Sequence, residues 1–66
     1  MLSVEMARLA KENMLDVFVP NGTAGVVVEY DDQFARVHTR IGTEEYPLAD
    51  LQPSRTLREA AGSPEQ

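Results

Sequence analysis

The stretch from Asp16 to Pro53 most constrains the fold, because short apolar segments alternate in it with turn signals. β-branched and aromatic residues fill the segments DVFVP, VVVEY and FARVHTRI, and glycine, asparagine and aspartate separate them. Short strands at this close spacing are typical of one small, strongly bent sheet that closes on itself. We therefore predict a mainly β fold, a five-stranded small barrel over residues 15–53.

The length and the charge of the chain restrict both its stability and its partners. With 66 residues and no cysteine, it has room for one small core and no disulfide to reinforce it. We therefore expect it to dock on a larger protein or to form a homo-oligomer. Its net charge of −5 disfavours broad binding to nucleic-acid phosphates. No apolar run is long enough to span a membrane and the first residues lack a leader pattern, which predicts a cytoplasmic protein without a membrane partner.

Residues 1–14 have the pattern of an amphipathic helix packed on the barrel. Leu2, Met6, Leu9 and Ala10 recur at helical spacing, and Ser3 is a suitable N-cap. A helix of about three turns is not stable alone, so this stripe must pack on something. Two interpretations are open: the helix covers an open end of the barrel, or its Leu2, Met6 and Leu9 face contacts another chain.

Two predicted turns give a register for the central strands. Gly42-Thr43 suits a two-residue hairpin turn, and a second turn is centred on Asp32-Gln33. Both turns place the same apolar side chains on one face, which we predict to be the core: Val26, Val28, Tyr30, Ala35, Val37, Ile41, Tyr46 and Leu48. The opposite face then carries Val27, Glu29, Arg36, His38, Arg40 and Glu45, with Glu29 beside Arg36 and Arg40 beside Glu45.

The segments on either side of these strands complete the predicted barrel. Leu15 to Val19 forms the first strand, and residues 47–51 form one tight helical turn before a brief last strand that Pro53 ends. The C-terminal tail, residues 54–66, has two interpretations. It forms a helical turn through Leu57 that stops at Gly62 and Pro64, or it is disordered.

The candidate binding residues follow one strand and the turn before it. Arg36, His38 and Arg40 alternate along the strand and form a basic stripe, which suits a phosphate, a nucleotide or an acidic partner strand. In the alternative interpretation, cross-strand Glu29 and Glu45 partly neutralise the stripe, as is common on exposed sheets.

Phe34 lies at the turn, off the predicted core face, and is a reasonable anchor for a protein interface. His38 is the single histidine and has no serine, cysteine or second histidine at a recognisable spacing. We therefore predict no catalytic residue, no metal site and no cofactor.

The placed strands resemble the SH3-like small-barrel superfamily, and in particular its KOW-type bacterial modules. The resemblance is carried by VFVPNGTAGVVVEY, with its glycine-led turn before the second strand, and by YPLADLQP, where a short turn joins the last two strands. It covers about residues 16–53. It implies an SH3-like five-stranded barrel that binds proteins, RNA or ribosomes, or that serves as a subunit of a larger enzyme.

One catalytic branch of that superfamily, the type II dihydrofolate reductases, is similar around Tyr46 and Pro47. Those tetramers carry a valine-glutamine-isoleucine-tyrosine-proline run in their active pore, whereas Glu44 and Glu45 precede Tyr46 here. Extra carboxylates would repel the anionic ligands of such a pore. We therefore expect no enzyme, with a type II dihydrofolate reductase-like barrel as the remaining enzymatic alternative.

The function that the sequence predicts is that of a non-catalytic protein-binding module, a small accessory subunit or inhibitor. The candidate site residues are Phe34, Arg36, His38 and Arg40, with Leu2, Met6 and Leu9 as the possible helix interface. Two alternatives stay open: a KOW-like module that binds RNA or the ribosome, and an oligomeric barrel whose subunits jointly bind a small ligand.

Overall fold

A computed structural model describes residues 1–62 of the chain. The elements are α1 (Val4–Asn13), β1 (Asp16–Phe18), β2 (Ala24–Tyr30), β3 (Phe34–Thr39), β4 (Gly42–Pro47), a single 3-10 turn (Leu48–Asp50), β5 (Gln52–Pro53) and α2 (Arg55–Ala60). The five strands are antiparallel and form one sheet in the order β4-β3-β2-β1-β5. The predicted mainly β fold with five strands and an N-terminal helix is therefore confirmed.

The N-terminal helix packs its apolar stripe on the chain's own sheet. Ser3 caps α1 by accepting a hydrogen bond from the backbone N–H of Met6 at 3.1 Å. Leu2 is 1% exposed, and its backbone N–H donates to the carbonyl of Leu48 at 3.0 Å. Met6 and Leu9 are half-buried against the same core. These contacts match the first interpretation of the helix, and they leave Leu2 inaccessible to another chain.

A β-bulge in β2 decides which side chains enter the core. Val27 pairs with Val37, but the next pair is Glu29 with Arg36, so Val28 has no partner on β3. Val27 is 3% exposed and Val28 is 39% exposed. The predicted placement of Val28 in the core and of Val27 outside is therefore wrong, because one extra residue reverses the side-chain alternation along the rest of the strand.

The hairpin between β3 and β4 turns two residues earlier than the sequence predicts. Arg40 and Ile41 form the turn, and Gly42 is the first residue of β4, paired with Thr39. The Thr39 hydroxyl accepts from the backbone N–H of Ile41 at 3.2 Å and donates to the carbonyl of Gly42 at 3.3 Å. These hydrogen bonds hold the turn at Arg40-Ile41, so Ile41 is 75% exposed and not a core residue.

The earlier turn also changes the cross-strand pairs. Glu45 lies opposite Arg36. The sequence register, in contrast, predicts that Glu45 lies opposite Arg40. The pairs of Glu29 with Arg36 and of Tyr30 with Ala35 agree with that register, because they lie beyond the bulge. The core consists of residues from both helices, from strands β1 to β3 and from the segments beside them: Leu2, Ala7, Ala10, Val17, Val19, Val27, Ala35, Val37, Leu48, Leu51 and Leu57.

Gly25 allows β2 to approach β3 closely. A Cβ atom at Gly25 would lie 2.7 Å from the carbonyl oxygen of His38 and 2.7 Å from a methyl carbon of Val37. Since a backbone oxygen cannot move aside as a flexible side chain can, only glycine fits this position. The requirement explains why a glycine occurs inside a strand.

The C-terminal segment is helical as far as the structure describes it. Ser54 caps α2 by accepting from the backbone N–H of Leu57 at 3.2 Å, and Leu57 is fully buried. The sequence leaves two interpretations of the tail, a helical turn or disorder. Residues 55–60 form a helix, which matches the first of these. The predicted stop at Pro64 and every other expectation for residues 63–66 lie outside the described residues.

We predict that Val27→Asp unfolds the protein and that Val28→Asp does not. A lone carboxylate at the buried Val27 costs several kcal/mol, whereas a chain of this length is stable by only about 3–10 kcal/mol. Circular dichroism and urea denaturation of the two variants measure the difference. If Val28→Asp were the more damaging change, the bulge would be misplaced.

Candidate binding surface on the outer face of the sheet

The side chains of β3 that point away from the core form the centre of a candidate binding surface. Phe34, Arg36 and His38 alternate with the buried Ala35 and Val37. Their cross-strand neighbours are residues of β2 and β4, and together these define the surface that we call the outer face: Val26, Glu29, Phe34, Arg36, His38, Thr43, Glu45 and Pro47.

Arg36 lies in a row of alternating charge across three strands. Glu29 is its cross-strand partner on β2, and Glu45 is its partner on β4. The ion pairs among the described residues are those of Arg8 with Glu5 and Glu12 and of Arg55 with Glu59, so Arg36 has no ion-pair partner there. The guanidinium is therefore exposed between two carboxylates and is not bound to either of them.

His38 occupies the next row, between Val26 and Thr43. Its Nδ1 atom lies 2.7 Å from the hydroxyl oxygen of Thr43, which holds the ring against β4. This hydrogen bond fixes the imidazole on the outer face, and no carboxylate among the described side chains hydrogen-bonds the ring.

The turn before β3 fixes the position of Phe34. The Asp31 carboxylate accepts from the backbone N–H groups of Gln33 at 2.8 Å and Phe34 at 2.7 Å. Because these two hydrogen bonds favour the charged form, they lower the pKa of Asp31 below its ordinary value. Phe34 is thereby held opposite Pro47 with 38% of its surface exposed.

Arg40 does not join the other candidate residues. Since β3 ends at Thr39, Arg40 lies in the turn with Ile41, at the tip of the hairpin. The structure thus places Phe34, Arg36 and His38 on one face, and the predicted basic stripe is shortened to Arg36 and His38. Glu29 and Glu45 both flank Arg36, whereas the alternative interpretation places Glu45 beside Arg40.

The outer face has one small cleft at its Phe34 end. The cleft has a volume of about 90 Å³ and is lined by Glu29, Tyr30, Asp31, Phe34, Arg36 and Glu45. Pockets for drug-sized ligands have volumes of roughly 300–1,000 Å³, so this cleft holds a side chain or a few water molecules and no larger ligand.

A second concave surface is one that the sequence pattern misses. A groove of about 370 Å³ lies between the start of α1 and the end of β4, where Met1, Val4, Pro47 and Ala49 contribute to its lining. Met1 is 74% exposed and Val4 is 41% exposed. The sequence indicates only that Met1 and Val4 are apolar and do not belong to the buried stripe of the helix. The tertiary structure is needed to place Pro47 beside them.

Comparison with family profiles, with curated proteins and with solved structures gives no match to this chain. Over residues 1–62, no helix has the length and apolar character needed to cross a membrane. In the same range, no group of three histidine, cysteine or acidic side chains is placed to hold a metal ion.

We predict that the turn at Asp31 loosens at low pH. Since the pKa of Asp31 is lowered in the folded protein, its stabilising effect is present above the ordinary value of 3.8 and is lost as the pH falls through the lower, folded-state pKa. Wild-type protein should exceed Asp31→Ala in stability near neutral pH, and the two should converge in acid. Thermal denaturation at several pH values measures this; a difference independent of pH would contradict it.

Proposed function

We propose that this protein is a non-catalytic protein-binding module, a small accessory subunit or inhibitor that docks through its outer face. The observation that carries the proposal is the placement of Phe34 and Arg36 on one exposed face, without an ion pair for Arg36 among the described residues. Aromatic and arginine side chains contribute most of the binding energy in many protein interfaces.

The topology supports assigning the fold to the SH3-like small barrels. Four strands follow one another in the sheet, and the short β5 returns to pair with β1 on its other side. A single 3-10 turn joins β4 to β5, at the place where the resemblance expects a short turn. In such barrels the sheet is a support and binding depends on its exposed side chains, which agrees with a binding role.

The charges on the outer face favour a protein partner over a nucleic acid. The row through Arg36 contains two carboxylates and one guanidinium, and the whole chain carries a net charge of −5. Binding to phosphates depends on a cluster of cations, which this row does not provide. A partner protein needs only one hydrogen-bond acceptor or carboxylate for Arg36 and an apolar surface for Phe34.

We predict that Phe34→Ala and Arg36→Ala each weaken capture of the partner, by about tenfold or more if they are central to the interface. The measurement is a tagged pull-down from the native host lysate, with and without nuclease, read by quantitative mass spectrometry. Arg55→Ala is the matched control, because its exposed side chain lies on α2 and its ion pair with Glu59 is a surface pair of small energy.

Three outcomes contradict the proposal. Ribosomal or nucleic-acid-associated proteins recovered only without nuclease would indicate the KOW-like alternative. A stable homo-oligomer that binds a small molecule would indicate a shared ligand site between subunits. Unchanged capture of the same protein by both outer-face variants would show that the outer face is not the interface.

A further inference from the structure

One edge of the sheet is open for pairing, and the other is blocked. β5 has only two residues, and the backbone N–H of Ser54 donates to the carbonyl of Asp16, so Pro53 is the residue that faces away from β1. Because Pro53 has no N–H, β5 offers no donor there to an added strand. β4 has six residues and forms the opposite end of the sheet order. Unpaired backbone groups on an edge strand are a template for another strand, so β4 is the edge at which this sheet can be extended.

The hydrogen-bond alternation shows which groups of β4 are unpaired. The backbone N–H of Leu48 donates to the carbonyl of Gln33 at 2.9 Å, which continues the β3–β4 ladder by one pair. In an antiparallel ladder every second residue is hydrogen-bonded to its partner strand, so Gly42, Glu44 and Tyr46 face β3. The backbone N–H and carbonyl groups of Thr43 and Glu45 therefore point away from the sheet. Within residues 1–62 they have no turn or loop backbone partner.

The charges along this edge select the strand that can pair with it. Glu44 and Glu45 are adjacent and exposed, and consecutive side chains of a strand lie on opposite faces of the sheet. If β4 paired antiparallel with β4 of a second copy of the protein, with Glu44 or Glu45 at the centre, that glutamate would lie opposite the same glutamate of the other copy. Two like charges directly opposite each other are destabilising. An incoming strand with two consecutive basic residues would instead place one cation near each carboxylate.

The apolar groove lies at the Pro47 end of the same edge. Pro47 ends β4 and also lines the groove with Met1, Val4 and Ala49. The exposed side chains of Met1 and Val4 would lose contact with water if an apolar side chain entered there. Pro47 is two residues from Glu45. If one basic residue of an added strand lies opposite Glu45, the residue two positions away in that strand lies opposite Pro47, and an apolar side chain there would reach the groove.

We propose that the free edge of β4 binds an extended segment of a partner protein that carries two consecutive basic residues next to an apolar residue. This inference rests on the proposed protein-binding function and specifies the chemistry of the partner. The segment adds a sixth strand to the sheet, antiparallel to β4 like the existing strands, with its apolar residue on the amino-terminal side of the basic pair. Backbone hydrogen bonds at Thr43 and Glu45 hold it, Glu44 and Glu45 select its charge, and the groove fixes its register.

The test uses the whole protein and a synthetic hexapeptide capped at both ends, Leu-Val-Lys-Lys-Thr-Thr. We expect the peptide to shift the amide resonances of Thr43 and Glu45 and to slow hydrogen exchange at these two amides. The matched control peptide has glutamate in place of both lysines and should bind at least about tenfold more weakly, because it repels Glu44 and Glu45. Absence of any effect on the two amides at millimolar peptide would overturn the proposal.

Two substitutions at one position separate the backbone from the charge. Glu45→Pro removes the charge together with an N–H that the β3–β4 ladder does not use; Pro47 already lacks the N–H at the next position that faces outward. Glu45→Gln keeps the N–H and removes the charge. We expect weakening of about fivefold or more for Glu45→Pro and a smaller weakening, reduced by added salt, for Glu45→Gln.

The two proposals have separate outcomes. Equal peptide affinity for wild type and folded Glu45→Pro would overturn strand addition, while the effects of Phe34→Ala and Arg36→Ala on the pull-down would still support the outer face as a protein interface. If Glu45→Pro does not fold, hydrogen exchange at Thr43 and Glu45 in the wild-type protein decides the question. Recovery of nucleic-acid-associated proteins alone in the pull-down would contradict the protein-binding function itself, whatever the hexapeptide does.

Discussion

The core of this small sheet depends on the bulge in β2. Between Val27 and Glu29 the strand contains one residue more than its partner, so Val27 and Tyr30 both reach the inner side although they are three residues apart. Without the extra residue, a regular alternation that buries Val27 would place Tyr30 on the outer side. The bulge also increases the local bend of the sheet. Together with the close approach at Gly25, it lets a short sheet curve around a core that small side chains can fill.

Because the core is small, it takes residues from near both ends of the described chain as well as from the sheet. Leu2 and Leu57 lie near opposite ends of the sequence, and both are almost completely buried in the same cluster. The two helices therefore stabilise the sheet and are not appendages to it. A protein of this size buries a limited fraction of its surface, so the contacts made by its terminal segments are a substantial part of its stability.

The small core also leaves an exposed sheet face, a free strand edge and an apolar groove on the surface. The inner side of the sheet and the apolar stripe of α1 are used for the core, whereas the outer face, the β4 edge and the groove beside Met1 and Val4 have no covering element in the described chain. The outer face combines an aromatic side chain with a guanidinium, and the edge combines backbone donors with adjacent carboxylates. The two surfaces meet at Glu45, whose side chain belongs to the outer face and whose backbone belongs to the edge. One partner protein could therefore contact both.

The sequence by itself determined the elements and the general class of the fold. Turn residues, the helix cap at Ser3 and strand propensity are local properties, so they predicted a helix followed by five strands in agreement with the structure. They also placed Phe34, Arg36 and His38 off the core, since alternation within one strand needs no knowledge of its neighbours.

Only the tertiary structure decided the register on either side of β3. The bulge at Val28 depends on how β2 pairs with β3. The position of the next turn depends on two alternatives: the hydrogen bonds of Thr39 favour a turn at Arg40-Ile41, whereas Gly42 favours a turn at Gly42-Thr43. Both are choices between local alternatives of similar energy, which long-range packing resolves. The groove likewise exists only because the start of α1 meets the end of β4, and residues so far apart in the chain have no shared local pattern. The free edge exists because the sheet order leaves β4 at one end, which is also a property of the tertiary structure.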